Sequence, residues 1–403
     1  MSLQQPSQPV PVQQPGTTKA PGTLPPVVVY LPGVSQSPAN STPRIAQLMA
    51  IKASKGPGNY AAEEVRSPSK HLTDGRRIVK DRRDPVLDVF TLDYRPLLKL
   101  PDVAGSGVGA ALRRFAFSLW YFFRTLALVL PAGRRAKSPI ARWQLVIGLG
   151  AIVVLLLSVI FTALAVLAAL GLWKEPVVSG TADDAIALGA TAFTTWLFFN
   201  VRPAVRRATT LVEQLLDYAQ DERHAAGVTG VLDSALDDLL EADPDRKVHV
   251  CGYSLGALVA MDFLYPRTSL LQRLDERHGQ AIPTLVTVGC PVDFVRLYVP
   301  RYTEKREARV PGLRWTNIYI AADILGSNFI DGDDFAEAPG RGAGASGHEV
   351  AIAGQRPISR RYTSERLTFR NIWGRKGFLS HGGYWDEPER ENCLHLVMHE
   401  VLP

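Results

Sequence analysis

A serine between two glycines is the residue pattern in this chain that is best suited to chemistry. The pattern is Gly252-Tyr253-Ser254-Leu255-Gly256, between an alternating β-branched segment at 247–251 and an apolar segment at 257–264. This order predicts a strand, a sharp turn and a helix, with the serine at the tip of the turn. Side chains two residues before and after the serine would collide in so tight a turn, so both places require glycine. The pattern predicts that Ser254 is a nucleophile rather than part of an ordinary Ser-Gly turn.

A serine nucleophile needs a base, and the base needs a carboxylate that orients it. When the serine lies on a strand-to-helix turn, both partners come later in the chain, each in a loop after a further strand. Asp323 follows a predicted strand at 313–320, and His381 lies in a Gly-rich, aromatic loop at 377–385. The two residues are therefore the candidate acid and base for Ser254. The alternative for His381 is a structural role, stacked on one of the aromatic rings beside it.

Other acidic and histidine side chains compete for these roles. Asp293 follows the preceding predicted strand and is a rival to Asp323, whereas the acidic residues at 331–334 are typical of a solvated loop. His395 and His399 are four residues apart on a predicted helix, a spacing that can place two histidines on one metal ion. No third ligand accompanies them at a suitable spacing. We therefore expect no metal site and no cofactor.

Together these motifs resemble those of the α/β-hydrolase superfamily, and within it the lipase-like serine esterases. The resemblance covers residues 26–100 and 208–403. It implies an α/β fold, with a mostly parallel sheet and helices on both faces. It also implies that Ser254 attacks an acyl carbon and that His381 takes the serine proton and returns it to the leaving group. Asp323 would hold the imidazole tautomer and stabilise the imidazolium.

An enzyme of this kind needs two N–H donors for the oxyanion that forms during acyl transfer. The resemblance implies that one donor is the main chain of Leu255 and that the other lies in the loop after an early strand. The segment 26–31 has the composition of that strand, and Pro32, Gly33 and Val34 follow it. Pro32 has no N–H, and the His-Gly-Gly-Gly pattern of many lipases is absent. The second donor is therefore expected to be Gly33 or Val34.

Two uncharged apolar runs predict a transmembrane helical hairpin inserted into this domain. As helices, 145–173 would be about 43 Å long and 185–201 about 25 Å, against a hydrocarbon core of about 30 Å. Basic residues flank both outer ends and the connecting segment 174–184 is acidic, so both halves of the catalytic domain are predicted to face the cytoplasm. A pair of buried core helices is the alternative. The aromatic stretch 115–130 contains Arg124, which favours an interfacial helix over a third span.

Composition limits the remaining possibilities. The chain has 403 residues, a net charge of +6 and three widely spaced cysteines, which do not form a disulfide framework. Its basic clusters border the predicted spans, which favours anionic lipid over nucleic acid as their partner. The basic stretch at 76–83 is predicted to be a solvated loop. The predicted organisation is a disordered Pro/Gln-rich tail at 1–25, the first part of the hydrolase domain at 26–100, a linker with an interfacial helix at 101–144, the hairpin at 145–201 and the second part of the hydrolase domain at 202–403.

These features predict a membrane-anchored serine hydrolase, an integral membrane protein with two transmembrane helices. It would cleave carboxylic esters of lipids or other acyl compounds through an acyl-enzyme. Its expected partners are an acyl ester or lipid substrate and the bilayer. One alternative is an acyltransferase or thioesterase that uses the same serine. Another is a catalytically inactive, hydrolase-like module that serves as a membrane interaction platform.

Overall fold

In the computed structural model of the chain, the described residues form one eight-stranded sheet. The strands are β1 (Val27–Leu31), β2 (Tyr60–Val65), β3 (Gly75–Lys80), β4 (Asp84–Thr91), β5 (Val248–Tyr253), β6 (Thr284–Val288), β7 (Arg314–Ile320) and β8 (Ile358–Tyr362). The structure describes residues 24–34, 38–54, 58–98, 120, 214–267, 276–320, 323, 325–327, 329, 351–362, 381, 384–385 and 393–402.

The sheet is mostly parallel. Its spatial order is β2-β3-β4-β1-β5-β6-β7-β8. All pairings from β4 across to β8 are parallel, and β3 pairs antiparallel with both of its neighbours. The central strands β1, β5 and β6 are buried along their whole length, as expected for parallel strands covered on both faces.

Helices cover both faces of the sheet. They are α1 (Pro38–Ala53), α2 (Glu222–Ala242), α3 (Leu255–Leu264), α4 (Glu276–Ala281), α5 (Val292–Tyr298) and α6 (Cys393–Val401). Because successive strand residues point to opposite faces, Val27 and Val29 pack into a core with α2 and α3. Val28 and Tyr30 pack into a second core, with α1 and α6. This arrangement confirms the predicted α/β class.

The sequence predicts a solvated loop at 76–83, and this prediction is wrong for residues 76–80. Residues 76–80 belong to β3, between β2 and β4. Arg77 directs its guanidinium to Asp88 in β4, with Nε 2.7 Å and Nη2 3.0 Å from the two carboxylate oxygens. Paired in this way, an arginine fits inside a strand because its charge is matched on the neighbouring strand.

Asp88 is also the centre of a buried ion cluster at the end of the sheet opposite Ser254. Arg246, just before β5, donates from Nη2 to Asp88 and from Nε to the Pro25 carbonyl at 2.8 Å. The side chains of Asp88 and Arg246 are 1% and 3% exposed. The cluster ties the start of β5 to β4 and to the residues before β1, and so fixes the strands that carry the candidate site.

The predicted localisation requires a correction. Within the described ranges, no helix is long and apolar enough to cross a membrane. The longest of them, α2, carries acidic residues along its length, and the apolar helix α3 has only ten residues. This finding contradicts the prediction of an integral membrane protein with two transmembrane helices and a cytoplasmic catalytic domain, and that prediction is withdrawn together with the inserted hairpin.

The segments on which the membrane prediction depends are not among those that the structure describes. The predicted spans at 145–173 and 185–201 lie outside the described residues, as does the predicted interfacial stretch 115–130 apart from Trp120. Residues 1–23 of the predicted tail also lie outside them.

Candidate active site

Ser254 occupies the turn between β5 and α3, as its neighbours in the sequence predict. Its backbone has φ 55° and ψ −121°, a conformation that is uncommon for any residue other than glycine. The Ser254 N–H donates to the carbonyl of Val288 at the end of β6, at 2.9 Å. The strained turn therefore holds the serine at the carboxyl ends of the parallel strands, where open α/β sheets place their sites.

The two glycines of the turn have no space for a side chain. A Cβ on Gly252 would lie 2.4 Å from the carbonyl oxygen of Gly256, and a Cβ on Gly256 would lie 2.1 Å from the carbonyl oxygen of Leu31. Neither distance is possible for real atoms, so a larger residue at either position would displace the main chain. The second contact also shows that the turn packs directly against the end of β1.

The three predicted site residues lie together. His381 Nε2 is 2.7 Å from Ser254 Oγ, and His381 Nδ1 is 2.7 Å from Asp323 Oδ2. Because a carboxylate only accepts hydrogen bonds, Nδ1 carries the proton and Nε2 is left to accept from the serine hydroxyl. The side chain of Asp323 is 1% exposed and that of His381 is 16% exposed. This arrangement allows proton transfer from a serine to an imidazole that a buried carboxylate orients.

No family model, curated protein or solved structure matches the chain. What the site can do therefore follows from its own atoms. Three groups define it: a hydroxyl on a strained turn, an imidazole within hydrogen-bonding distance of that hydroxyl, and a carboxylate on the far side of the imidazole.

The acid of this site is held by donors other than the histidine. Asp323 lies just past β7, where its Oδ1 accepts from the N–H of Leu325 at 3.0 Å. Its Oδ2 accepts from the hydroxyl of Tyr384 at 2.8 Å. A Cβ on Gly326 would lie 2.7 Å from the same oxygen, so glycine is needed beside the carboxylate. The Asp323 side chain is therefore fixed in one orientation.

The candidate base, His381, is held by Tyr253, the residue that precedes Ser254. The ring of Tyr253 stacks on the His381 imidazole, with ring centroids 5.3 Å apart and an angle of 23° between the planes. The Tyr253 hydroxyl donates to the main-chain carbonyl of His381. Tyr384 meets the imidazole edge-on, and Trp385 meets the Tyr253 ring in the same way. His381 is thus stacked on an aromatic ring, that of Tyr253, and it still contacts Ser254 and Asp323.

The rival acid lies elsewhere. An Asp293 carboxylate oxygen is 3.7 Å from Nη1 of Arg296, one turn along α5, and the Asp293 N–H donates to the Ser327 hydroxyl. It is Asp323, not Asp293, that contacts the imidazole. The acidic residues at 331–334 lie outside the described residues.

The other histidines that the sequence singles out, where the structure describes them, lie away from these contacts. His395 and His399 are exposed on α6. Among the residues that the structure describes, no group of three metal-ligating side chains is present. His249 is buried in β5, and burial, reinforced by the charge of Arg314, lowers its pKa to about 4.

The predicted oxyanion donors lie on the two sides of Ser254. Leu255 is the first residue of α3, so its N–H has no acceptor within the helix and points out from the positive end of the helix dipole. In the loop after β1, a Cβ on Gly33 would lie only 3.0 Å from the Ser254 Cβ. The Tyr94 hydroxyl donates to the Pro32 carbonyl and fixes this loop. The closeness of Gly33 favours it over Val34, which packs on the apolar core.

A cavity elsewhere in the molecule is separate from this site. It has a volume of about 410 Å³ and lies between α2 and the end of α3 that is remote from Ser254, and none of the three site residues lines it. Two of its arginines form ion pairs with acidic residues that also line it. Arg306 Nη1 lies 2.6 Å from Asp262 Oδ1, and Arg267 Nη1 lies 2.8 Å from Glu222 Oε1. Hydrogen-bond geometry, not cavity size, therefore locates the candidate site.

The contacts of two tyrosines and a glycine with this site are not evident from the sequence. In the sequence, Tyr384 is only an aromatic neighbour of the histidine, and Tyr253 only a member of the serine turn. Gly289, after β6, has φ +57°, and a Cβ there would lie 2.8 Å from the Tyr384 ring and 3.3 Å from His381 Cε1. The sequence offers one signal for the role of Gly289, which is its place directly after the strand that adjoins the serine strand.

Proposed function

We propose that this protein is a serine hydrolase of the α/β-hydrolase type, which cleaves a carboxylic ester through an acyl-enzyme. The observation that carries the proposal is the unbroken chain of hydrogen bonds Ser254–His381–Asp323, with both contacts at 2.7 Å. The strained serine turn at the carboxyl ends of the strands supports the same function, because it exposes a hydroxyl to a substrate that approaches from outside the sheet.

Acylation begins at the serine hydroxyl. As Ser254 Oγ bonds to the acyl carbon, its proton moves to His381 Nε2 and the carbonyl π electrons move to the carbonyl oxygen. The N–H groups of Leu255 and Gly33 stabilise that oxyanion. When the carbonyl reforms, the bond to the leaving oxygen breaks and the imidazolium gives its proton to the departing alcohol. The product is an ester of Ser254.

Deacylation repeats these steps with water. His381 Nε2 removes a proton from water while the water oxygen bonds to the acyl carbon. The tetrahedral intermediate then expels Ser254 Oγ, which recovers the proton from the imidazolium, and a carboxylic acid leaves. In both stages the buried Asp323 stabilises the imidazolium without taking its proton. The partial exposure of His381 is consistent with access of water to this base.

The preference for a lipid ester depends on the membrane anchor and is not part of this proposal. Acyl transfer and thioester cleavage would use the same acyl-enzyme. Acyl transfer differs in its acceptor, an alcohol in place of water, and thioester cleavage differs in its leaving group, a thiol in place of an alcohol. A hydrolase-like module without catalysis would have no need for a strained serine turn or for a buried carboxylate held by several donors. The contacts around Asp323 therefore favour an enzyme.

Fluorophosphonate labelling tests the nucleophile. These reagents phosphonylate activated serines, so the wild-type protein is expected to be labelled at Ser254 and the Ser254→Ala variant is not. Ser69→Ala is a matched control, because Ser69 is also buried and its hydroxyl accepts from the N–H of His71 in the loop before β3. Labelling that persists in Ser254→Ala, or a folded wild-type protein that no fluorophosphonate labels, would contradict the proposal.

A further inference from the structure

Tyr384 touches the candidate acid at the atom that holds the histidine. Its hydroxyl is 2.8 Å from Asp323 Oδ2, the oxygen that also lies 2.7 Å from His381 Nδ1. The same hydroxyl accepts from the N–H of Ile320 at 3.0 Å. Tyr384 is completely buried. Two donors, one from each side, therefore converge on a single carboxylate oxygen.

These contacts set the direction of the tyrosine hydrogen bond. A phenol has one proton to donate, and an N–H is always a donor. Because the Ile320 N–H points at the phenol oxygen, the phenol proton is free to point at Asp323. Burial, together with the negative charge of Asp323, raises the pKa of Tyr384 well above its ordinary value. The hydroxyl therefore stays protonated over the whole range in which a histidine titrates.

We propose that Tyr384 is a positioning residue, which orients Asp323 Oδ2 and limits the strength with which this oxygen holds the imidazolium of His381. The inference rests on the proposed function. A donated hydrogen bond withdraws charge from a carboxylate oxygen and makes it a weaker acceptor for any second donor. Through Asp323, Tyr384 thus weakens the stabilisation of the imidazolium relative to the neutral imidazole, which is the form that a general base needs.

The other groups near the imidazole do not titrate in this range. Among the described residues they are Ser254, Tyr253, Tyr384 and, behind Tyr384, Cys393, whose thiol donates to the Tyr384 carbonyl at 2.8 Å. Burial raises the pKa of Tyr253 and of Cys393 well above their usual values. Tyr253, Tyr384 and Cys393 therefore stay uncharged, and Asp323 is the charged group that the described residues place against the imidazole.

The ring of Tyr384 also packs against its neighbours, and a substitution can separate this packing from the hydrogen bonds of the hydroxyl. Its ring packs against Tyr253, with centroids 6.0 Å apart, and over Gly289. Phenylalanine keeps this ring and removes only the hydroxyl. Tyr302→Phe is the matched control, because the buried hydroxyl of Tyr302 donates to Asp262 Oδ2 at 2.7 Å in a different part of the molecule.

The test compares the rate of fluorophosphonate labelling as a function of pH in the wild type, Tyr384→Phe and Tyr302→Phe. In Tyr384→Phe the acid limb of the profile is expected to move up by about 0.5 to 1 pH unit, and the limiting rate to fall roughly tenfold. In Tyr302→Phe both are expected to match the wild type. A Tyr384→Phe profile that coincides with that of Tyr302→Phe would overturn the inference.

A second substitution tests the same bond with the hydroxyl retained. Incorporation of 3-fluorotyrosine at position 384 makes the phenol a stronger donor, so the acid limb is expected to move to lower pH, opposite to Tyr384→Phe. A shift in the same direction as Tyr384→Phe would contradict the proposed role. Failure of the proposed function looks different, because the wild-type protein itself would then show no labelling at Ser254.

Discussion

Tyr253 donates its hydroxyl proton to the main-chain carbonyl of His381 while its ring lies stacked on the imidazole of the same residue, 5.3 Å away between centroids. Tyr253 directly precedes Ser254 in the chain. The turn that carries Ser254 therefore also holds His381, alongside the contacts of the imidazole with Asp323 and Tyr384.

Removal of the Tyr253 hydroxyl is expected to slow the chemistry more than it affects stability. Tyr253→Phe keeps the stacked ring but frees the His381 main chain, so we expect roughly a tenfold loss of labelling rate and a loss of about 1 kcal/mol in the free energy of unfolding. Tyr265→Phe, whose hydroxyl bonds to Gln355 Oε1 at 2.6 Å, is the control for stability. Equal labelling rates in the two variants would show that Tyr253 does not position the base.

The close packing of the serine turn leads to a prediction about the free energy of unfolding. Gly256→Ala places a Cβ 2.1 Å from the Leu31 carbonyl oxygen, so β1 and the turn would have to separate, at an expected cost of more than about 3 kcal/mol. Gly227 lies inside α2, where a Cβ would have nothing within 4 Å, and Gly227→Ala is expected to stabilise by about 1 kcal/mol. Urea unfolding of both variants measures the difference. A Gly256→Ala protein as stable as the wild type would exclude this packing.

The buried ion cluster at the other end of the sheet provides a third prediction. Asp88→Asn would leave the guanidinium of Arg246 buried without its carboxylate, which typically costs about 3 to 5 kcal/mol. The comparison is Glu64→Gln, because Glu64 pairs with Arg76 but is 84% exposed, and such pairs contribute less than about 1 kcal/mol. If the two substitutions cost the same in urea unfolding, the cluster is not what fixes the start of β5.

The sequence predicts the site where its constraints are local. The two glycines around Ser254 follow from the geometry of one turn, and Asp323 follows from its place after a strand. The hydroxyl of Tyr384 meets Asp323 from 61 residues further along the chain, and no local pattern encodes that contact. The strand β3 is not predicted for a related reason, which is that its pairing partner lies on another strand. Its arginines resemble a solvated loop until Asp88, on the neighbouring strand, is seen to pair with Arg77.

His249 makes the stability of the fold depend on pH. Burial and the charge of Arg314 lower its pKa to about 4 in the folded protein, from the ordinary value of 6.5. Between these two pH values His249 is protonated in the unfolded chain and neutral in the folded protein. The free energy of unfolding therefore falls as the pH is lowered from about 6.5 towards 4. Above pH 6.5 the residue is neutral in both states and contributes no pH dependence.

His249→Leu removes this titration and keeps an apolar side chain in β5. The wild type is expected to lose about 3 kcal/mol more than His249→Leu between about pH 7 and pH 4, and the difference between the two curves cancels the carboxylates that titrate in both proteins. His399→Leu, at an exposed position of α6, is the control for replacing a histidine by leucine. Urea unfolding at a series of pH values measures all three. Parallel curves for the wild type and His249→Leu would contradict this prediction, because they would show that His249 takes up its proton equally well in the folded and the unfolded protein.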